Sequence, residues 1–297
     1  NLSNRLTLRH RFAKRGRNVS ADVQMGHNER DGDRDQVSEN QFTRPGFPDT
    51  LTSSDQQTAT NSITNSISTR IAFTEPIAKG WQAQFIYNPQ YTRSHSDARS
   101  LGRDLAGGYT LLDSAQSNTF TNRNTVQAGG AAVLFTKGVW RWLSQASVQN
   151  TQLQSEQEFP RDGAFAHAFT DVLPSMTLSA TFANRRNMRL NWNTNTNPPS
   201  IGQLQNVVDN SNPLSLSAGN PDLPQTYTNN FSLRLSEADP MRSKSKFMFL
   251  NVSRTSKPIA NATFTAPRDT TIDGIFLARG TQLTRPANLD LAWSANA

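Results

Sequence analysis

Val172-Leu173-Pro174-Ser175-Met176-Thr177-Leu178-Ser179-Ala180-Thr181-Phe182 decides the fold class, because Val172, Met176, Leu178, Ala180 and Phe182 alternate with Ser175, Thr177, Ser179 and Thr181. Successive side chains of an extended strand point to opposite faces, so this period of two reads as a strand with one apolar and one polar side. The pattern recurs along the chain. Ile63, Ile67, Ile71 and Phe73 oppose Ser62, Thr64, Ser66, Ser68 and Arg70; Trp81, Ala83, Phe85 and Tyr87 oppose Gln82, Gln84 and Asn88. Val126, Ala128, Ala132 and Leu134 alternate with Thr125, Gln127 and Gly129, and Trp140, Trp142, Ala146 and Val148 with Arg141, Gln145, Ser147 and Gln149. Met188, Leu190 and Trp192, then Tyr227, Phe231, Leu233 and Leu235, continue it. Shorter versions occupy residues 2–13 and 18–28, and in residues 245–256 Phe247 and Phe249 compete with Met248, Leu250 and Val252 for the apolar side. The count is about ten strands, with an eleventh starting near Asn288.

Composition narrows the setting. The 297 residues are 35% hydrophobic and 18% charged, with a mean hydropathy of -0.63. A soluble chain of this length normally devotes nearly half its residues to apolar types. The missing apolar weight has gone to Asn, Thr, Ser and Gln rather than to charge, while 16 Phe and 5 Trp remain, which argues against disorder. The net charge of +7 is scattered along the chain rather than gathered on one face, so it does not read as a nucleic-acid footprint. Cysteine is absent, which excludes a disulfide framework and thiolate metal sites. No apolar run is long enough for a transmembrane helix.

Connection lengths add a second periodicity. Tight turns at 14–18, 75–80, 136–138, 183–187 and 237–243 alternate with longer polar segments at 29–57, 89–117, 155–164, 197–224 and 257–287, read as loops. Antiparallel strands with short turns at one end and long loops at the other are the plan of a transmembrane β-barrel. Phe12, Phe73, Trp81, Phe135, Trp140, Phe182 and Phe247 all lie close to the short turns, where a barrel carries an aromatic girdle. A wet interior explains the low apolar fraction, since only the outward face meets lipid. The fold expected is therefore all-β, an antiparallel transmembrane β-barrel segment, a partial barrel in one domain over residues 1–297. The chain opens on Asn1 within what reads as a strand and stops soon after another begins, so it is taken as part of a longer barrel.

Pro199-Ser200-Ile201-Gly202-Gln203-Leu204-Gln205-Asn206-Val207-Val208-Asp209-Asn210-Ser211-Asn212-Pro213-Leu214, followed by Gly219-Asn220-Pro221-Asp222-Leu223, resembles the barrel region of TonB-dependent outer-membrane receptors. The large outer-membrane β-barrel family of Bacteroidetes-like bacteria is the most similar. Leu173-Pro174-Ser175 and the run from Leu112-Asp113 to Asn118-Thr119-Phe120-Thr121-Asn122 are similar to that family's loop and strand entries. One departure is Pro224-Gln225, where the family usually has Pro-Glu. The family's barrel has roughly twenty-two strands, so this chain would be about half of one, with the plug domain and both barrel ends outside it. The resemblance implies residence in the bacterial outer membrane, contact with its lipid, and TonB-dependent uptake of a specific solute. The energy would come from an inner-membrane complex acting on the plug. No cofactor and no enzymatic activity are implied; a passive porin or adhesin-like barrel and a rim-site hydrolase are the alternatives.

Few residues carry chemistry by themselves. Ser94-His95-Ser96-Asp97 holds the residue types of a hydrolase triad, but adjacent residues rarely converge on one proton path, so the stretch reads as a polar loop. Asp31-Gly32-Asp33-Arg34-Asp35 begins like a calcium loop, yet Gln36 and Phe42 break the template, which leaves an acidic loop. His10, His27 and His167 match no metal-ligand spacing. The candidates are arginines. Arg9, Arg11, Arg70, Arg123, Arg141, Arg189 and Arg234 fall on the polar sides of their strands, and Arg70, Arg123, Arg141, Arg189 and Arg234 are taken as lumen-facing residues that select an anionic solute.

Overall fold

The computed structural model describes all residues except 43–49, 115, 161, 205–207, 210–213, 240–242 and 273. In order, the strands are β1 (Leu2–Arg11), β2 (Asn18–Phe42), β3 (Thr50–Ala78), β4 (Trp81–Arg103), β5 (Tyr109–Leu112), β6 (Asn118–Lys137), β7 (Trp140–Phe159), β8 (Gly163–Phe182) and β9 (Arg186–Asn197). A one-turn helix α1 (Ile201–Leu204) precedes β10 (Val208–Asp209), β11 (Ser215–Ala218), β12 (Thr226–Asp239), β13 (Lys244–Ser256), β14 (Ile259–Thr265), β15 (Thr270–Ile272), β16 (Ile275–Leu277), β17 (Gln282–Asn288) and β18 (Leu291–Asn296). Twelve of these strands form one antiparallel sheet in the order β1-β2-β3-β4-β6-β7-β8-β9-β12-β13-β18, with β5 hydrogen-bonded to β4. The sheet is open, with β1 and β18 at its edges, as a partial barrel requires.

Directly paired residues share a face, so the register sorts every side chain. One face is apolar: the row Trp81, Phe135, Trp142, Leu178, Leu190, Leu233 and Leu250 runs unbroken from β4 to β13. At the short-turn end of this face the Trp81 and Phe135 rings lie 4.4 Å apart, and Trp140 meets Phe182 edge-on at 5.6 Å. These are the girdle aromatics. The opposite face is polar, with Asn, Gln, Ser, Thr and Arg in successive rows.

Three local readings change. The alternation in β6 has the other sense: Leu134 pairs with Gln82 and Leu143 on the polar face, while Ala131, Val133 and Phe135 face outward. Apolar residues stand at both parities here, so pairing with β4 and β7 decides. In β13 the apolar face carries Met248, Leu250 and Val252, so Phe247 leaves the girdle for the polar face with Phe249. Residues 29–42, 50–57 and 89–103, expected in loops, instead extend β2, β3 and β4 as a continuous ladder in which Asp31 pairs with Asn61 and Ser96 with Phe120. These segments lie beyond the apolar belt, where both faces are polar and no alternation marks them.

Connections are held by specific contacts. At the β1–β2 turn, Lys14 Nζ and Arg17 Nε donate to the Glu75 carboxylate at 2.5 and 2.6 Å, which ties this turn to the end of β3. Gly80 in the β3–β4 turn has φ +81, and a Cβ there would lie 2.4 Å from the Thr136 carbonyl oxygen, so only glycine fits. Pro174 lies inside β8 rather than before it; the β8–β9 ladder stops at Ser175, next to the residue with no N–H to donate. The Thr194 hydroxyl bonds the Pro174 carbonyl at 2.7 Å instead.

The two later long connections fold onto the polar face. β10, β11, β17 and β14 make a four-stranded sheet with its own core of Leu216, Ala218, Ala266, Leu277 and Leu283. Leu204 of α1 and Leu223 pack on Leu153 of β7 and Phe169 of β8. The Gly219-Asn220-Pro221-Asp222-Leu223 element is the clip that seats this unit. The Asn220 N–H bonds the Gln203 carbonyl at 2.7 Å, its side chain accepts the Asp222 N–H at 3.0 Å, and Arg285 donates to the Gly219 carbonyl. At the departure from the family pattern, Gln225 donates to the Asp171 carboxylate, where an acidic residue would face a like charge.

Candidate functional site: an arginine row on the polar face

Charge is segregated by face. Among the described residues of the main sheet, the polar face carries Arg5, Arg9, Arg11, Arg30, Arg34, Arg70, Arg141, Arg189 and Arg234, but only Asp22 and Asp171 as carboxylates. Both aspartates are engaged: Asp22 accepts from Thr7 at 2.6 Å and from Arg5 at 3.5 Å, and Asp171 from Gln225. The basic excess on this face is not cancelled from within it.

Register concentrates part of that excess. Arg141 on β7 pairs with Ser179 on β8, Ser179 with Arg189 on β9, Arg189 with Arg234 on β12, and Arg234 with Phe249 on β13. Three guanidinium groups therefore lie in one hydrogen-bonded row near the short-turn end, although up to ninety-odd residues separate them in sequence. The next row toward the long loops is Leu143, Thr177, Asn191, Ser232 and Asn251, and it contains no carboxylate.

The side chains around Arg189 and Arg234 enclose a concavity of about 550 Å³, lined by Arg189, Asn191, Ser232, Leu233, Arg234, Phe247, Phe249 and Asn251. Arg189 Nε donates to Asn191 Oδ1 at 3.1 Å, and Thr177 donates to the same oxygen at 3.1 Å. Asn191 Nδ2 in turn donates to Ser232 at 3.2 Å, so the Arg189 fork is oriented by a chain of neutral groups. The Arg234 guanidinium lies 5.1 Å from the centre of the Phe247 ring, whose neighbour Phe249 is 5.8 Å away. Such a site offers charge-assisted donors and an aromatic wall: it suits an anion that carries a planar or apolar body.

Arg70 belongs to the same face but to a second, smaller concavity of about 280 Å³ with Arg5, Asp22, Gln24, Ser68, Asn88 and Gln90. Asn88 Oδ1 is buried there without a hydrogen-bond partner. Arg123 does not join either group. It pairs with Arg93 and Gln154 on the outward face, and its Nη1 bonds Glu156 at 2.6 Å. The cause is the reversed sense of β6. Sequence reasoning missed Arg5, Arg30 and Arg34, and it had no means of seeing Asn191 or Phe247 as neighbours of the arginines, because those contacts depend on register between strands.

The other candidate motifs resolve as strand. Ser94 and Ser96 lie on the polar face and His95 and Asp97 on the outward one, so the sheet separates the hydroxyls from the imidazole. His95 bonds Thr121 at 3.0 Å, and Asp97 accepts from Thr119 and Arg99. Asp31 and Asp35 accept from Asn61 and Gln57 across β2 and β3, which replaces the expected acidic loop by a cross-strand ladder. His10 packs on Phe12, His27 bonds Asn65, and His167 stacks between Phe165 and Phe169. Among the described residues, no three His, Asp or Glu side chains group as metal ligands.

A sheet with one apolar belt, girdle aromatics and a basic polar face matches the model of the outer membrane protein β-barrel family over residues 10–297. The chain belongs to that family. Its place is the bacterial outer membrane. Among solved structures, it is similar to the Serratia marcescens hemophore receptor HasR, determined as a double mutant in complex with its hemophore HasA and heme, at 8% identity and a TM-score of 0.53. The match covers 99% of this chain and 50% of that one. The siderophore receptor PirA from Pseudomonas aeruginosa is matched at 11% identity and a TM-score of 0.34, over 98% of this chain and 57% of that one. The chain thus spans about half the length of these receptors, and the likeness to HasR concerns the fold alone. No curated protein matches the sequence.

Proposed function

We propose that this chain is part of the barrel wall of a TonB-dependent receptor that takes up a specific anionic solute, with Arg141, Arg189 and Arg234 as its lumen-side selectivity row and Arg70 as a secondary contact. The observation that carries this reading is the row itself, three guanidinia in register with no carboxylate side chain in that row or the next toward the long loops. Long-loop segments capture the solute, and passage follows when an energised inner-membrane complex acts on a plug. The chain's own residues supply what precedes that step. Arg189, held by Asn191, presents a fixed fork, and Arg234 stays adjacent to the Phe247 ring.

The test uses the full-length protein in detergent and a panel of ferric chelates matched in size, anionic and neutral. Anionic members bind in preference, and R189Q/R234Q weakens them about tenfold or more, as expected for two lost charge-assisted bonds. Equal affinity for neutral members, or an unchanged variant, rejects the anion reading. Uptake that persists after collapse of the inner-membrane proton gradient would instead place the protein among passive barrels.

A further inference from the structure

The outward face carries a charge arrangement that solute uptake does not use. Above the apolar belt, at the long-loop side of Tyr91, Arg93 of β4 stands directly opposite Arg123 of β6. Like charges paired across a sheet oppose its stability, so such a pair calls for an anion. Glu156 takes part of the Arg123 guanidinium at 2.6 Å, with the carboxylate still half exposed. Arg93 is exposed and, among the described residues, has no carboxylate within ion-pair distance. Of the charges further toward the long loops on this face, Arg99 is closed on Asp97, and Asp31 is held by Asn61. Two guanidinia therefore face one carboxylate.

Position identifies the kind of anion that suits this pair. Immediately on the belt side of the pair, the same face has a groove of about 340 Å³ whose apolar lining is Leu2, Met25, Ile67 and Tyr91. An outer-membrane barrel turns its long-loop end outward, so this level is where the outer leaflet's headgroups meet its acyl chains. We propose that Arg93 and Arg123 bind the phosphorylated headgroup of an outer-leaflet glycolipid, with one of its acyl chains in the groove beside Tyr91. The planar forks match phosphate oxygens in a way that an ammonium does not. A phosphate between them also relieves the repulsion of the pair, and Tyr91 sits at the depth where interfacial aromatics belong.

The experiment is native mass spectrometry of the full-length receptor released from detergent, with bis-phosphorylated lipid A and the same lipid after chemical dephosphorylation as probes. The wild type retains the phosphorylated lipid about tenfold better or more, R93Q and R93Q/R123Q lose that preference, and R93K/R123K keeps part of it. Heat-modifiable migration confirms that each variant is folded, and R93Q alone serves if the double variant is not. Equal retention of the two lipids by the wild type, or an unchanged preference in folded R93Q, overturns the proposal. Full competition by inorganic phosphate at equal concentration also overturns it, because the site would then take free phosphate rather than a lipid.

Discussion

Replacing Leu178 by arginine measures whether the apolar face meets hydrocarbon. Along β8 the outward residues run from the girdle aromatic Phe182 to Val172, ten residues apart. At about 3.4 Å per residue this spans roughly 34 Å, and a tilt of about 40° reduces it to about 26 Å across the membrane. That agrees with the apolar band of about 25 Å expected of such barrels. Leu178 lies near the middle of the span, between Trp142 and Leu190 in its row. A guanidinium there costs about 2–4 kcal/mol, a factor of roughly 30 to 1000 in the folding equilibrium. The neighbouring Thr177 faces the polar side and bonds Asn191 at 3.1 Å, so Thr177→Arg loses one neutral hydrogen bond, about 1 kcal/mol. Urea unfolding of the full-length protein in lipid vesicles, followed by tryptophan fluorescence, separates the two variants by about 1–3 kcal/mol. Equal costs at the two positions would refute the facial assignment and the membrane reading built on it.

Three further outcomes follow from particular contacts. In β6, Val133→Arg destabilises more than Leu134→Arg in the same vesicle assay, because Val133 is outward and Leu134 sits between Gln82 and Leu143; the reverse order would return the register to the one the alternation suggests. Gly130→Val brings a Cβ to 2.3 Å from the Ala146 carbonyl oxygen and 2.7 Å from Ser147 Cα, so the β6–β7 ladder must shift, at about 1–3 kcal/mol or more in urea unfolding, whereas Gly163→Val, with open space around it, is neutral. The Asp104 turn responds to acid. Hydrogen bonds from Thr110 and from the Gly108 and Ala106 N–H groups hold the Asp104 carboxyl below the usual aspartate range. Its contribution is therefore present above about pH 3.9 and is lost as the pH falls through the depressed folded value. Amide exchange at Gly108 is slowed relative to its intrinsic rate at neutral pH, and this protection falls only below about pH 3.9; D104N, which cannot carry the charge, loses that pH dependence.

The period-two alternation determined the membrane-level strands and the existence of one apolar and one polar face, because the pleat ties side-chain direction to parity at every residue, and the alternation of short and long connections determined their antiparallel order. It also identified Arg70, Arg141, Arg189 and Arg234 as polar-face residues. Short turns were legible for a related reason, since residues such as Gly80 are demanded by the local backbone. Alternation is silent where a strand is apolar at both parities or polar on both faces. In β6, Ala131-Ala132-Val133-Leu134-Phe135 offers two apolar sides, and the pairing of Leu134 with Gln82 and of Arg123 with Arg93 settles the choice. The far halves of β2 and β3 have no lipid to select an apolar side, so backbone hydrogen bonding between polar strands extends them instead. The two candidate sites depend on register, which no single strand contains. Arg141, Arg189 and Arg234 became one row, and Arg93 and Arg123 one pair, only when neighbouring strands aligned, because cross-strand distance is a property of the sheet and not of the sequence of any strand within it.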